Sequence, residues 1–465
     1  MTTTSNYPHA LGLALSGGGY RAAAFHLGTL RKLHELGILP HVEVLSTISG
    51  GSITGAAYCL NGQTDYPAFH ARMHAALRQK SVIGYVLRSA WFIRGLAVVA
   101  AFLVAAGWLL FSRYAPWAVL VLAGLVAVLL RYQFALFPIS QEIERAYDQF
   151  FFQGATLAQL PARPLMAIGS SNLQTGRPFT FSQTRMGDSA YTAVRSHTYH
   201  YGLPPVRFVT TGFPVARAVM ASSCVPFAFT PVRIARTFFQ QPTRNSEVVP
   251  QLIDGGVYDN QGIQKITQPG SGYECRTVIS SDAGAGLPDD EAYTNTIGVL
   301  VRTVDLFMNR IKNVQMSVNL YRNVELADRP IAFLSLGWRL ANCIPGFVDN
   351  CLRGDVLPEV LLAHGFDSQG WQEVLERYRQ PGQAEQVRAW LIERTEQQIG
   401  YAELAARDLT DAAWNIARTT PTNLTPLTDA QLEGLIRQGE NLTELQVKLY
   451  CPHLLQVSSP APVLA

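Results

Sequence analysis

The sequence predicts an α/β fold built on a mostly parallel sheet, with an apolar helical hairpin inserted into it and a helical region after it. Three observations carry this reading. Two strand-turn-helix units follow one another between Ala10 and Tyr58, two apolar runs between Gly95 and Leu130 interrupt the pattern, and later short apolar runs end in Asp-Gly or Asp-Ala-Gly. Repeated strand-turn-helix units put strands side by side in parallel, with helices packed on the sheet.

The first unit starts at Ala10–Leu15, an apolar run that ends in Ser16 and the three glycines Gly17, Gly18 and Gly19. Apolar residues then recur at Ala23, Leu27, Leu30 and Leu33 beside Arg31, Lys32 and Glu35, which is helical spacing, and Gly37 supplies the stop. A second strand, Val42–Thr47, leads through Ser49, Gly50 and Gly51 straight into the next helix. A serine at such a bend sits where unpaired N–H groups and the positive end of the helix dipole stabilise a developing anion. It is equally a favoured N-cap, so the bend alone does not assign chemistry.

The apolar runs are "GLAVVAAFLVAAGWLLF" (Gly95–Phe111) and "YAPWAVLVLAGLVAVLL" (Tyr114–Leu130), parted by Ser112 and Arg113. Each is about 17 residues, the short end of the spanning range. Trp91, Phe92, Trp108, Tyr114, Trp117 and Tyr132 stand near the ends, as in an interfacial aromatic belt. A buried hairpin in a large core would read similarly; the expectation is a membrane hairpin over residues 91–134, spanning or re-entrant. Arg78, Lys80, Arg88, Arg94 and Arg131 flank it, whereas its turn carries only Arg113. The positive-inside rule then puts the flanking domain on the cytoplasmic side of the membrane.

Farther on, "PLMAIGSSNLQTGRPFTFSQT" reads as two strands around a turn at Thr175-Gly176, and "VVPQLIDGGVYDNQGI" and "RTVISSDAGAG" give two more runs, ending at Asp254 and Asp282. Strand ends are where α/β chemistry collects. Beyond Leu287 the pattern is mostly helical, including a helix capped by Thr428 with Gln431 at the box position, and the tail "VSSPAPVLA" reads as disordered. The expected division is 8–90 and 135–330 as two parts of one catalytic unit, 91–134 as the insert, and 331–465 as the helical C-terminal region.

Net charge of +3 with 15% charged residues and no Lys/Arg-rich run excludes a nucleic-acid partner. Six scattered cysteines without a C-x-x-C pair argue against a disulfide framework and a zinc site, so the expectation is reduced thiols, no metal and no cofactor. No basic n-region precedes an apolar stretch at the start, so no cleavable signal peptide is visible. Oligomeric state is not legible.

An ester-cleaving serine needs donors for the oxyanion and a base for its own proton. Gly17, Gly18 and Gly19 leave backbone N–H groups unshielded and should lie beside Ser49, because consecutive parallel strands usually neighbour each other. A phosphate cradle would need Gly-Lys-Ser/Thr where Tyr20-Arg21 stands. With "SGGGYRAAAFHLGTLRKL", "STISGGS", "QTGRPFTF", "ASSCVPFAFTP" and "IDGGVYDNQG" in this order over most of Ala10–Gly262, the chain resembles the patatin-like phospholipase family, which cleaves acyl esters of lipids with a Ser-Asp dyad.

That resemblance implies a three-layer α/β/α fold and membrane lipids as substrate. It implies Ser49 as nucleophile, Asp254 as its base and Gly17, Gly18 and Gly19 as the oxyanion loop, with Arg21 beside it. Gly50, Gly51, Gly255 and Gly256 support the two turns, Asp259 and Asn260 brace the second, and Ala221–Pro231 shapes the acyl pocket. Two positions depart from the family pattern. Thr47 stands where the elbow usually has glycine, and is expected to narrow the approach; Ala22 stands where the loop often ends in glycine. Asp282 is the rival carboxylate, but "DGGVYDN" matches the family and "DAGAG" does not. A Ser-Asp-His hydrolase would need His364 or His453 from the helical C-terminal part, and a non-catalytic membrane module would need only the hairpin.

Overall fold

The computed structural model describes residues 7–192, 205–241, 248–284 and 293–457. Among these residues nine strands form one sheet: β1 (His9–Leu15), β2 (Val44–Ile48), β3 (Leu165–Asn172), β4 (Arg177–Phe181), β5 (Met186–Asp188), β6 (Val232–Arg233), β7 (Gln251–Asp254), β8 (Cys275–Asp282) and β9 (Ile331–Ser335). The strands β3-β2-β1-β8-β9 run parallel, and β4 and β5 extend the sheet antiparallel beyond β3. The expected strand pair around Thr175-Gly176 is β3 and β4. The C-terminal tail beyond Val457 and the end of the "DAGAG" stretch lie outside the described residues.

Helices cover both faces. Leu11, Leu13 and Leu15 of β1 belong to one core with α1 (Gly19–Glu35) and α2 (Gly50–Ala57), whereas Ala14 belongs to a second core with Ile263, Ile266 and Phe333 on the other face. This period-two division is why β1 reads as a continuous apolar run: a parallel strand buried on both faces has no polar side. The long helix Asp429–Tyr450 packs along α1, and Gly28 and Gly439 allow it, since a Cβ on either would lie 2.0 or 2.2 Å from a backbone carbonyl of the other helix. Its capping box is present: Thr428 Oγ1 accepts from the Gln431 N–H, and Gln431 Oε1 accepts from the Thr428 N–H.

The hairpin consists of helices Ala90–Leu110 and Trp117–Leu136, of 21 and 20 residues. They begin or end beyond the purely apolar runs, so each is about 30 Å long rather than short for a bilayer core. Both are long and apolar enough to cross a membrane. They pack on each other and expose Val104, Trp108, Val119 and Leu130 at 68–74%. The alternative of a buried core hairpin therefore does not hold, because no other part of the described chain covers them.

Candidate active site

Two strand ends meet head-on at one edge of β3. β2 runs parallel to β3 and ends with Ile48 opposite Gly169; β7 runs antiparallel and ends with Asp254 opposite the next residue, Ser170. The chain therefore leaves β2 at Ser49 and leaves β7 at Gly255 over the same point. A Cβ on Gly255 would sit 2.4 Å from the Gly169 carbonyl oxygen, so only glycine fits that turn.

Ser49 adopts φ 49°, ψ −117°, a conformation that costs a non-glycine residue about 1–3 kcal/mol and persists only where the surroundings enforce it. The enforcement is visible. The Ser49 N–H donates to Ser222 Oγ at 2.8 Å, the Gly51 N–H donates to the Ser16 carbonyl at 3.0 Å, and Gly50 lies flat against the Gly19 backbone. Ser222 was not singled out in the sequence; it stands in "ASSCVPFAFTP", and its neighbours tie down the other strand end. The Asp254 N–H donates to the Cys224 carbonyl and the Gly255 N–H to that of Ser222.

The Ser49 hydroxyl and the Asp254 carboxylate line the same cavity, close enough for Ser49 to act on the carboxylate's titration. Burial pushes the Asp254 carboxyl up to about 7, and the hydrogen bond from the Gly256 N–H, at 2.7 Å, and the nearby Ser49 hydroxyl keep the rise from being larger. Asp282 lines the same cavity but is bound differently. Burial alone would raise its pKa, yet Lys312 Nζ at 2.6 Å and the Ser335 hydroxyl at 2.9 Å outweigh it and hold the carboxylate below the usual range.

The glycine loop lies against the elbow, as a Cβ on Gly17 would come within 3.1 Å of the Ser49 Cβ. Gly17 does not offer its amide: that N–H donates to the Asn260 carbonyl at 3.0 Å. The expected three-glycine donor set is thus reduced to two, for among the described residues the Gly18 and Gly19 N–H groups have no partner. Their φ values of 139° and 58° turn them away from the ordinary helical start. Asn260 braces this loop through that carbonyl, while the Asp259 carboxylate accepts from the Gly262 and Gln264 N–H groups. Arg21 sits next to Gly18 and donates to the Thr420 carbonyl at 3.2 Å; burial lowers its pKa, and Asp282 opposes that shift.

Thr47 does not narrow the approach. It is fully buried, accepts from the Ser52 hydroxyl at 3.0 Å, and its methyl lies against Gly55 of α2, away from the cavity. The space a glycine would have given is supplied by Gly55. Ala22 packs against Gly18 and donates its N–H to the Gly18 carbonyl. The cavity, about 350 Å³, is walled by Val225, Pro226 and Phe227 on one side and Val301, Val304 and Met308 on the other. No histidine lines it among the described residues. His364 is bonded to the Leu449 carbonyl, His453 to Thr277, and His26, pushed down to about 4 by burial, to Ser281 and the Ser16 carbonyl. No group of three His, Cys, Asp or Glu that could hold a metal occurs among the described residues.

A mostly parallel α/β sheet that brings a serine on a strained bend, a buried carboxylate and a glycine loop to one cavity is an arrangement compatible with hydrolase chemistry. The family model described as Patatin-like phospholipase matches residues 13–264, and the chain belongs to that family of lipid hydrolases. Solved structures with similarity are human GIVD cytosolic phospholipase A2 (14% identity, 97% of this chain and 60% of that one, TM-score 0.39) and its complex with methyl gamma-linolenyl fluorophosphonate (15%, 97% and 59%, 0.43). VipD from Legionella pneumophila is a third (12%, 98% and 88%, 0.28). The chain spans about three fifths of the human phospholipase chains it matches. No curated protein sequence matches it.

Proposed function

We propose that the chain is a carboxylic ester hydrolase of lipids, phospholipase-like, that works through a Ser49-Asp254 dyad. The observation that carries this reading is the meeting of the β2 and β7 ends on β3, which brings Ser49 and the buried Asp254 to one cavity; burial pushes that carboxyl up to about 7, where it is able both to take and to return a proton near neutrality. Asp254 takes the hydroxyl proton as Ser49 Oγ attacks the acyl carbon. The carbonyl oxygen, now negative, accepts from the Gly18 and Gly19 N–H groups, with the dipole of α1 behind them. Collapse breaks the ester bond, and the proton on Asp254 passes to the departing alcohol. Water then repeats the sequence on the acyl-Ser49 ester and releases the fatty acid. The apolar walls of the cavity suit an acyl chain, and no histidine among the described residues lines the cavity as the third member of a Ser-Asp-His scheme.

The hairpin enters a lipid bilayer and holds the catalytic part on the cytoplasmic side. Its uncovered apolar surface supports insertion, and the arginines on its flanks support that orientation. The test is fatty-acid release from vesicles carrying the reconstituted chain. Ser49→Ala is expected to lower it at least about a thousand-fold with the thermal transition little changed; activity within tenfold of the native chain contradicts the reading.

A further inference from the structure

The helix Thr296–Met316 walls one side of the Ser49 cavity, and it is apolar on both of its faces. Successive helical residues turn by about 100°, which puts Val301, Val304, Asp305, Met308 and Lys312 on one side, and all of them line the cavity. Val299, Leu300, Leu306, Phe307 and Val314 fall on the opposite side, within an arc of about 120°. They are exposed, Leu306, Phe307 and Val314 by more than half. Only Thr303 and Arg310 interrupt that stripe.

The helix is not free to roll the stripe inward. Lys312 is ion-paired with the fully buried Asp282 at 2.6 Å. Across the cavity mouth, Phe227 holds φ 68°, a left-handed conformation unusual for a bulky residue, with its side chain 68% exposed. The loop that carries it is tied to the foot of the hairpin: Ser140 Oγ donates to the Thr230 carbonyl at 2.5 Å, and Thr230 Oγ1 donates to the Phe137 carbonyl at 3.4 Å. The mouth thus lies between two exposed apolar lips, one of them anchored where the hairpin leaves the domain. A contiguous apolar patch of this kind marks an interaction surface.

We propose that the outer stripe of the Thr296–Met316 helix, together with the Phe227 loop, rests on the surface of a lipid bilayer, so that the cavity opens onto lipid instead of water. The proposal rests on the lipid-hydrolase reading of the cavity. Lipid is the occupant favoured because the facing lip is joined to helices long and apolar enough to cross a bilayer, and because Arg310, exposed within the stripe, suits anionic headgroups. A second copy of the chain is the competing occupant.

Two readouts on the full chain, reconstituted in phosphatidylcholine vesicles with a fraction of phosphatidylglycerol, test this. The six cysteines are all buried, so Phe307→Cys can carry an environment-sensitive fluorophore. Brominated lipids are expected to quench it by at least half; no quenching while the hairpin is inserted overturns the proposal. Leu306→Glu with Phe307→Glu is expected to lower hydrolysis of bilayer lipid about tenfold and to leave a short soluble ester within about twofold. Equal effects on both substrates, or a dimer that this variant dissociates in place of quenching, also overturn it. If the lipid-hydrolase reading alone is wrong, neither ester is cleaved but the quenching persists, so the two failures are distinguishable.

Discussion

The ends of β7 and β8 each deliver a buried aspartate to the same cavity, and the two carboxylates differ in what they face. Asp282 meets a lysine, a serine hydroxyl and a backbone N–H, and its charge is neutralised where it stands. Asp254 meets one backbone N–H and shares the cavity with Ser49, with no cation bonded to it among the described residues. Burial is nearly the same for both, so burial does not decide the outcome. The partner does: Lys312 and Ser335 hold the first below the usual carboxylate range, while burial without a cation pushes the second up to about 7.

Removing each carboxylate separates the two roles. Asp254→Asn keeps the shape but cannot accept the Ser49 proton, and is expected to lower acyl-ester hydrolysis by about 10²–10⁴-fold in a steady-state assay. Asp282→Asn leaves Lys312 facing a neutral amide in a largely buried position. It is expected to cost about 3 kcal/mol in denaturant unfolding, with hydrolysis by the folded fraction within a few-fold of the native chain. The reverse pattern would make Asp282 the base.

The pH dependences have opposite signs. The Asp254 pKa in the folded chain is raised to about 7, so hydrolysis is expected to rise about tenfold per pH unit up to that region and then level off. For stability, a raised folded pKa means that the contribution of Asp254 is fully present below the usual carboxylate range and is lost as pH rises through about 7. Asp254→Asn should therefore melt higher than the native chain at pH 8, by less at pH 5, and alike only below the usual carboxylate range. The Asp282 pKa is lowered, so its contribution is present above the usual range and is lost on acidification. Melting curves of the two variants against pH check both signs, and a flat rate profile between pH 5 and 8 contradicts the assignment of Asp254.

Much of this geometry was legible in the chain. The glycine run, the serine bend and the Asp-Gly-Gly turn are local features, and apolar runs that stop at Ser16, Ser49, Asp254 and Asp282 are the ends of four strands. What the chain could not show is long-range pairing. That β7 enters antiparallel and stops one residue short of β2 on β3 depends on a register between segments some 200 residues apart. The same holds for the Gly17 amide, spent on Asn260, and for Ser222 under the elbow, whose only sequence signal is a small polar residue in an otherwise apolar segment.

Two long helices show a related limit. Ala90–Leu110, almost wholly apolar, is exposed, whereas Asp429–Tyr450 carries Gln438, Asn441 and Gln446 and buries all three. Composition marked the first helix; the burial of the second rests on Gly28 and Gly439 meeting across it, which no local pattern reveals.

The most direct measurement is intact-protein and peptide mass spectrometry after exposure to a long-chain fluorophosphonate. The account predicts one adduct, on Ser49, formed faster at pH 8 than at pH 5 and slowed about 10²–10⁴-fold in Asp254→Asn. An adduct on another residue, or labelling at the native rate in Asp254→Asn, contradicts it.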